Sequence, residues 1–393
     1  MKNKPGFFPC AVTLYRLHVS VILVLVFLLI LFVPETSASD TGTSAETSVT
    51  TSAEIASDNI DDSNERSEFI LIPLPIYTPE TKAALTLSAL YHSRENESDN
   101  PSTYMAFLAY SQLNQFRIAG TSQSYLADGR FSVAGGVGFA DWPDKFFGIG
   151  TDNTKDDEED FTSRSVDVRL AVQYRIIKHL RAGVGTEFRN YEITDIEAGG
   201  LLDTAGVRGT QGGNVFGIGP VLTYDSRDNS FFPREGWLAR LSATIFPENP
   251  GDYKFQRYRV DVRQYLPVGD TGVIAFQEYV NITRGDIPFQ YLSEIGGSAS
   301  PGRGYYSGLF RERDIAALQI EYRTHLWKKI GGAVFGSAGL IGPDLFAGKD
   351  LSLKPAGGVG LRYRIGREAI NLRLDFAIGK GSSGVYFNIL ESF

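Results

Sequence analysis

Sulfur is nearly missing from this chain, which has one cysteine and two methionines in 393 residues. Cys10 stands ahead of an apolar run rather than at its end, so it offers neither half of a disulfide nor a lipid-attachment site. Histidine is scarce too, and beyond residue 40 only His92, His179 and His325 occur. None stands with a serine and an acid at a spacing that suits nucleophilic catalysis. Haem, phosphate-loop and metal-ligand motifs are missing as well, so no enzyme, cofactor or metal site is expected. The net charge of −8 is mixed in sign along the chain, which leaves no basic face for nucleic acid.

What is abundant is glycine (42), tyrosine (19) and phenylalanine (26), a balance suited to Gly-rich strands with aromatic girdles. The amino end has the parts of an export signal. Lys2, Lys4 and Arg16 precede the apolar run Val21 to Val33, and small residues near Ala38 and Ser39 offer a cleavage site. A retained inner-membrane anchor is the alternative, but the run falls short of the ~17–25 residues a helical span needs. Residues 1–39 are therefore expected to be a signal peptide. Residues 40–68, rich in Ser, Thr, Asp and Glu, are expected to be a disordered periplasmic tail, and 69–393 a barrel in the outer membrane.

Beyond the tail the sequence alternates with period two. Val166, Val168, Leu170, Val172 and Tyr174 interleave with Asp167, Arg169, Ala171 and Gln173. Ile370, Leu372, Leu374, Phe376 and Ile378 interleave with Asn371, Arg373, Asp375 and Ala377, and the pattern returns around Leu318–Arg323 and Arg259–Arg263. An Arg-rich polar face with an apolar opposite face fits a water-facing interior and a lipid-facing exterior. Strands in lipid must close on themselves, because no water satisfies an open edge. The fold class is all-β, a transmembrane antiparallel β-barrel of about 16 strands, with 14 as the alternative. Its first strand is expected at 81–90. Tight turns are expected at one end near Leu113-Asn114, Lys178-His179, 267–270, Trp327-Lys328 and Gly366-Arg367. Longer loops are expected at the other, near 95–101, 154–160, 198–213, 247–252, 284–311 and 342–350. Trp142, Trp237 and Trp327 are expected in an interfacial belt on the tight-turn side. The acidic run 156–160 reads as a solvated loop.

Several segments resemble one known family. Asp225, Arg227, Asp228, Pro233 and Gly236, within Gly217 to Gly236, are similar to the strand and periplasmic turn of bacterial surface antigen barrels, the BamA and TamA superfamily. Arg303-Gly304-Tyr305 resembles that family's long sixth extracellular loop, and Glu321-Tyr322-Arg323 its following strand. Residues 73–81 resemble the approach to the first strand in members with few or no amino-terminal POTRA domains. Gly384, Phe387, Ile389 and the final Phe393 resemble the carboxyl-terminal insertion signal of outer-membrane barrels.

The resemblance implies that the loop folds into the lumen and that Arg303 reaches the wall at Glu321 and Phe335. A charge-assisted pairing in a watery lumen would be worth about 1–3 kcal/mol. Ser337 stands where the family has an acid, leaving Glu321 as the expected sole carboxylate for Arg303. POTRA domains, which capture substrate in assembly members, are expected to be lacking here. The family implies protein or lipid insertion into, or translocation across, the outer membrane. A passive or structural barrel plugged by the Arg303 loop is the alternative. Expected partners are outer-membrane lipid and lipopolysaccharide, the barrel assembly machinery for the chain's own insertion, and a periplasmic companion protein or polypeptide substrate.

Overall fold

The computed structural model describes residues 67–93, 102–298, 301–365 and 370–393. The expected signal peptide, nearly all of the expected tail and the connections at 95–101 and 366–367 lie outside the described residues. The strands in chain order are β1 (Ser67–Thr78), β2 (Lys82–Ser93), β3 (Ser102–Ser111), β4 (Phe116–Leu126), β5 (Phe131–Phe146) and β6 (Glu159–Ile177). They continue with β7 (Leu180–Ile196), β8 (Gly213–Asp225), β9 (Gly236–Phe246), β10 (Phe255–Val268), β11 (Gly272–Gly285), β12 (Ser293–Ile295) and β13 (Phe310–Glu312). The last are β14 (Asp314–Trp327), β15 (Ile330–Gly342), β16 (Ser352–Ile365), β17 (Ile370–Gly379) and β18 (Ser382–Ile389). Sixteen of these close into one antiparallel barrel, while β12 and β13 pair with each other inside the connection from β11 to β14.

Alternation decides which face meets which solvent. On β6, Val166, Val168, Leu170, Val172 and Tyr174 are 39–47% exposed, whereas Ser165 and Gln173 are buried on the inner face. Apolar side chains left bare along a whole sheet face belong in lipid. Strand length varies round the wall, from 19 residues in β6 to 8 in β18.

Two departures from the expected outline lie in its amino-terminal part. The first strand is β1 at Ser67–Thr78, not 81–90, which is part of β2. Pro73 and Pro75 mask it, since proline is excluded from central strands but accepted beside an unpaired edge. The second departure is a turn at residues 127–130 that splits β4 from β5. Ala127, Asp128 and Gly129 all take left-handed φ there, at 52°, 54° and 72°. With both in place, the turn at Leu113-Asn114 falls at the end that carries the long connections 147–158, 197–212, 247–254, 286–313 and 343–351. β2 ends and β3 begins at the short-turn end, opposite to expectation. Trp237 and Trp327 lie at the short-turn end, but Trp142 lies near the other end of β5.

The long-loop end is closed by an aromatic cluster that includes Phe146, Phe161, Tyr191, Phe246, Phe255, Phe289 and Tyr291. Its rings meet edge to face or stack, with Phe246 and Phe255 at 3.9 Å between centroids. The acidic run is more engaged than a solvated loop. Glu159 accepts the backbone N–H groups of Leu201 (2.5 Å) and Leu202 (3.2 Å), opening the one-turn helix α1 (Leu201–Thr204), and Lys145 pairs with Asp160 at 2.8 Å.

The barrel closes unevenly. β1 and β18 share one register position among the described residues, Tyr77 opposite Phe387, whereas β1 pairs with β2 at twelve positions and β17 with β18 at eight. Apolar overlap makes up the joint. Leu74, Ile76 and Ala84, on the inner face of β1 and β2, pack on Leu372 and Phe387. Leu372 shares parity with Phe376 and Ile378, which are 49% and 68% exposed, yet it is 8% exposed because β1 covers it.

Candidate functional site

The connection 286–313 folds back into the barrel, and Arg303 at its tip is 1% exposed. Its Nη2 donates to Glu321 Oε2 on β14 at 2.5 Å, and its Nη1 donates to Asp375 Oδ2 on β17 at 2.6 Å. The guanidinium lies 3.6 Å from the ring centre of Phe335 on β15. One planar fork thus joins three strands by two charge-assisted bonds and a cation–π contact. Glu321 is not the sole acid. The Ser337 side chain is half-buried and has no hydrogen bond among the described residues, and the second carboxylate comes from Asp375, two strands further round the wall. Glu321 and Asp375 are fully buried, so the expected watery setting is also corrected. Removing one partner from a buried pair costs about 3–5 kcal/mol, more than the 1–3 of a hydrated one.

The charges extend beyond this fork. Arg362 on β16 donates to Glu321 (2.9 Å), Asp375 (2.7 Å) and Glu391 (2.8 Å). Arg323 donates to Glu321 at 2.9 Å and to the Phe393 carbonyl at 2.8 Å. Asn371 donates to Glu391 at 2.8 Å. The last residues therefore leave the wall after Ile389, where Leu390 takes a left-handed φ of 61°, and turn inward. Phe393 is 4% exposed among Tyr265, Val273 and Ala275.

Neighbouring groups seat the rest of the loop. The Tyr386 hydroxyl accepts from the Gly304 N–H and donates to the Tyr305 carbonyl, both at 3.1 Å. The Tyr305 hydroxyl donates to the Pro355 carbonyl at 2.7 Å and accepts from the Lys380 N–H at 3.0 Å. Gly379 makes room for the Tyr305 ring, since a Cβ there would stand 2.5 Å from it, and Gly384 does the same for Tyr386. Gly304 itself takes φ 116° with its Cα against the backbone of Ile378. The Ser307 N–H donates to Glu80 in the β1–β2 turn at 3.1 Å. Burial pushes the Glu80 carboxyl above its ordinary value, against the lowering effect of the backbone N–H groups it accepts.

The Omp85 superfamily domain model matches residues 84–393. The chain belongs to the Omp85 superfamily. Among solved structures it is similar to BamA from Haemophilus ducreyi lacking POTRA domains 1–3, with a TM-score of 0.56 at 12% identity over 83% of this chain and 70% of that one. It is also similar to CdiB from Acinetobacter baumannii, with a TM-score of 0.55 at 11% identity over 83% of this chain and 60% of that one. CdiB from Escherichia coli gives 0.55 at 11% identity, over 80% and 62%. The chain thus spans less than two thirds of either CdiB chain. At such identities the likeness is one of fold. No curated protein matches in sequence. The family places this Omp85 barrel in the outer membrane.

The other sequence motif forms a turn across the short-turn mouth of the Omp85 barrel. Arg227 donates to Asp225 through Nε (2.9 Å) and Nη2 (2.8 Å), and Asp228 accepts the N–H groups of Arg234 and Glu235. Pro233 is buried, and Gly236 takes φ 101° where a Cβ would stand 2.3 Å from the Ser226 carbonyl oxygen. Phe232 lies 5.8 Å from the Arg364 guanidinium on β16, so the turn reaches far round the mouth. Of the histidines, His179 Nδ1 is 3.0 Å from the Asp225 carbonyl and His325 Nε2 2.6 Å from the Lys328 carbonyl, both turn contacts. Sequence reasoning missed Asp375, Arg362, Tyr386, Gly379 and Glu80. Parity put Asp375 on the polar face, but nothing in the sequence said which loop residue would meet it.

Proposed function

We propose that this Omp85 barrel acts in inserting protein or lipid into the outer membrane, or passing it across, by opening between β1 and β18. The observation that carries this reading is the joint between those strands, paired among the described residues at Tyr77 and Phe387, while β1–β2 and β17–β18 are laddered at twelve and eight positions. Each missing rung lowers the cost of opening, and apolar overlap can slide where a hydrogen-bonded ladder cannot. The short-turn end faces the periplasm in this reading, where a companion protein or the polypeptide substrate reaches the mouth. Lipid and lipopolysaccharide cover the outer face, and the barrel assembly machinery inserts the chain itself.

A second reading has support from the buried loop, which with the aromatic cluster fills the long-loop half of the barrel. In that reading the barrel is structural and the loop is its plug. A disulfide between Tyr77→Cys and Phe387→Cys separates the two. Oxidation is expected to reproduce the envelope defect of a deletion strain, with reductant restoring growth. An unaltered phenotype at complete cross-linking would sink lateral opening and leave the plug.

A further inference from the structure

Prolines mark interruptions in the ladders of this barrel. β8 runs unbroken against β7 through Pro220, whereas its pairing with β9 stops at Ile218 and resumes at Val221. A proline has no N–H, so the ladder survives only on the side its ring nitrogen turns away from. β1 pairs with β2 at every position from 67 to 78, through both Pro73 and Pro75. The nitrogens of these two prolines therefore face β18. Alternate residues of a strand turn their N–H groups to the same neighbour, so the edge that β1 presents to β18 is Ser67, Phe69, Leu71, Pro73, Pro75 and Tyr77. It lacks a donor at two successive places. In the register set by Tyr77 and Phe387, Pro75 stands opposite Ile389 and the place opposite Pro73 belongs to Glu391. Between those two, at Leu390, the chain leaves the wall.

Two consequences follow from the missing donors. The joint cannot zip below Tyr77, and a strand of the ~9–11 residues that cross a membrane cannot ladder onto this edge of β1 either. A parted joint also costs less, because it brings two fewer unpaired N–H groups into lipid. What fills the joint is apolar, with Leu74 and Ile76 lapped over Leu372 and Phe387. Behind it the lumen is hollow, and a cavity of about 720 Å³ reaches Arg373, Leu390 and Glu391 beside the joint and Gln123, Gln173 and Gln277 across from it. An alkyl lap next to a polar lumen matches a phospholipid, whose chains stay in hydrocarbon while its headgroup passes on the polar side. We infer that Pro73 and Pro75 hold the joint unzipped and bar strand addition to β1, so that the cargo of the joint is a phospholipid. The inference rests on the joint opening between β1 and β18.

The test reconstitutes the full chain in liposomes of phosphatidylethanolamine and phosphatidylglycerol with a trace of NBD-labelled phosphatidylethanolamine. Dithionite bleaching then reads lipid crossing between leaflets. The parent chain should expose inner-leaflet label that empty liposomes protect. Pro73→Val with Pro75→Val restores both donors, and should slow crossing by about tenfold or more and slow hydrogen exchange at 71–77. Pro75→Val alone should slow it less, and Pro220→Val, which restores a donor between β8 and β9, should leave it unchanged. A peptide copying residues 382–393, with a photoreactive group at 387, should not cross-link to β1 of the parent. Capture of that peptide along 71–77 overturns the inference, as does a parent that moves no lipid. The disulfide between Tyr77→Cys and Phe387→Cys separates this inference from the reading beneath it. Crossing that stops on oxidation but survives the proline substitutions overturns the inference and keeps lateral opening. Crossing that survives oxidation sinks lateral opening, and the inference with it. Heat-dependent mobility on gels verifies that every variant holds a folded barrel.

Discussion

Arg303 shows how much one side chain can organise when its charges are out of water. The residue ties a loop to β14, β15 and β17 at once, and each tie is of the kind that strengthens as water is excluded. Arg303→Ala should therefore weaken loop docking by about 3–5 kcal/mol, read as faster hydrogen exchange and protease cleavage in 302–310. The barrel itself should still insert, because Arg362 and Arg323 keep Glu321 and Asp375 paired. Ser337→Ala should change neither by more than about 0.5 kcal/mol, since the Ser337 hydroxyl has no hydrogen bond among the described residues. At this scale the sequence was half legible. Glu321 and Phe335 could be reached from motif and parity. Asp375 could not, because a planar fork accepts an acid from either side and only the closed wall brings β17 round to it.

At the scale of elements, strands such as β6 and β17 were readable because lipid on one side and Arg-rich lumen on the other force a clean alternation. β4 and β5 blurred, since Gly120, Gly135, Gly136 and Gly138 put few large side chains on either face. β1 was hidden by Pro73 and Pro75, since proline is uncommon inside a strand laddered on both sides. The loop 286–313 is an element whose docking should depend on pH through Glu80. Its carboxyl has a folded value raised above the ordinary 4.5, so its contribution is fully present below about 4.5 and is lost as pH rises through the raised value. Protease cleavage of the loop near Ser307 should thus slow on acidification. Glu80→Gln, which keeps an oxygen for the Ser307 N–H, should remove that dependence and cleave slowly at neutral pH as well.

At the scale of the whole molecule, the count of about 16 strands held although two strand assignments did not, because barrel size follows from total length and spacing rather than from any one boundary. The closure could not be read, since overlap of inner and outer faces requires three dimensions. Leu74→Ala should loosen it, removing a buried side chain at a cost of about 2–5 kcal/mol. The measurement is a lower temperature for the heat-induced gel shift and slower disulfide formation between Tyr77→Cys and Phe387→Cys. The Arg303 network has a mechanical consequence. Strands β14 to β18 are cross-braced inside, by Arg303 and Arg362 between β14 and β17 and by Tyr386 and Glu391 at β18, so that arc of the hoop behaves as one stiff panel. A hoop with a stiff panel bends elsewhere. Any ovalisation of the wall must be taken up outside that panel, which makes β1 the compliant lip of the joint and β18 its fixed jamb.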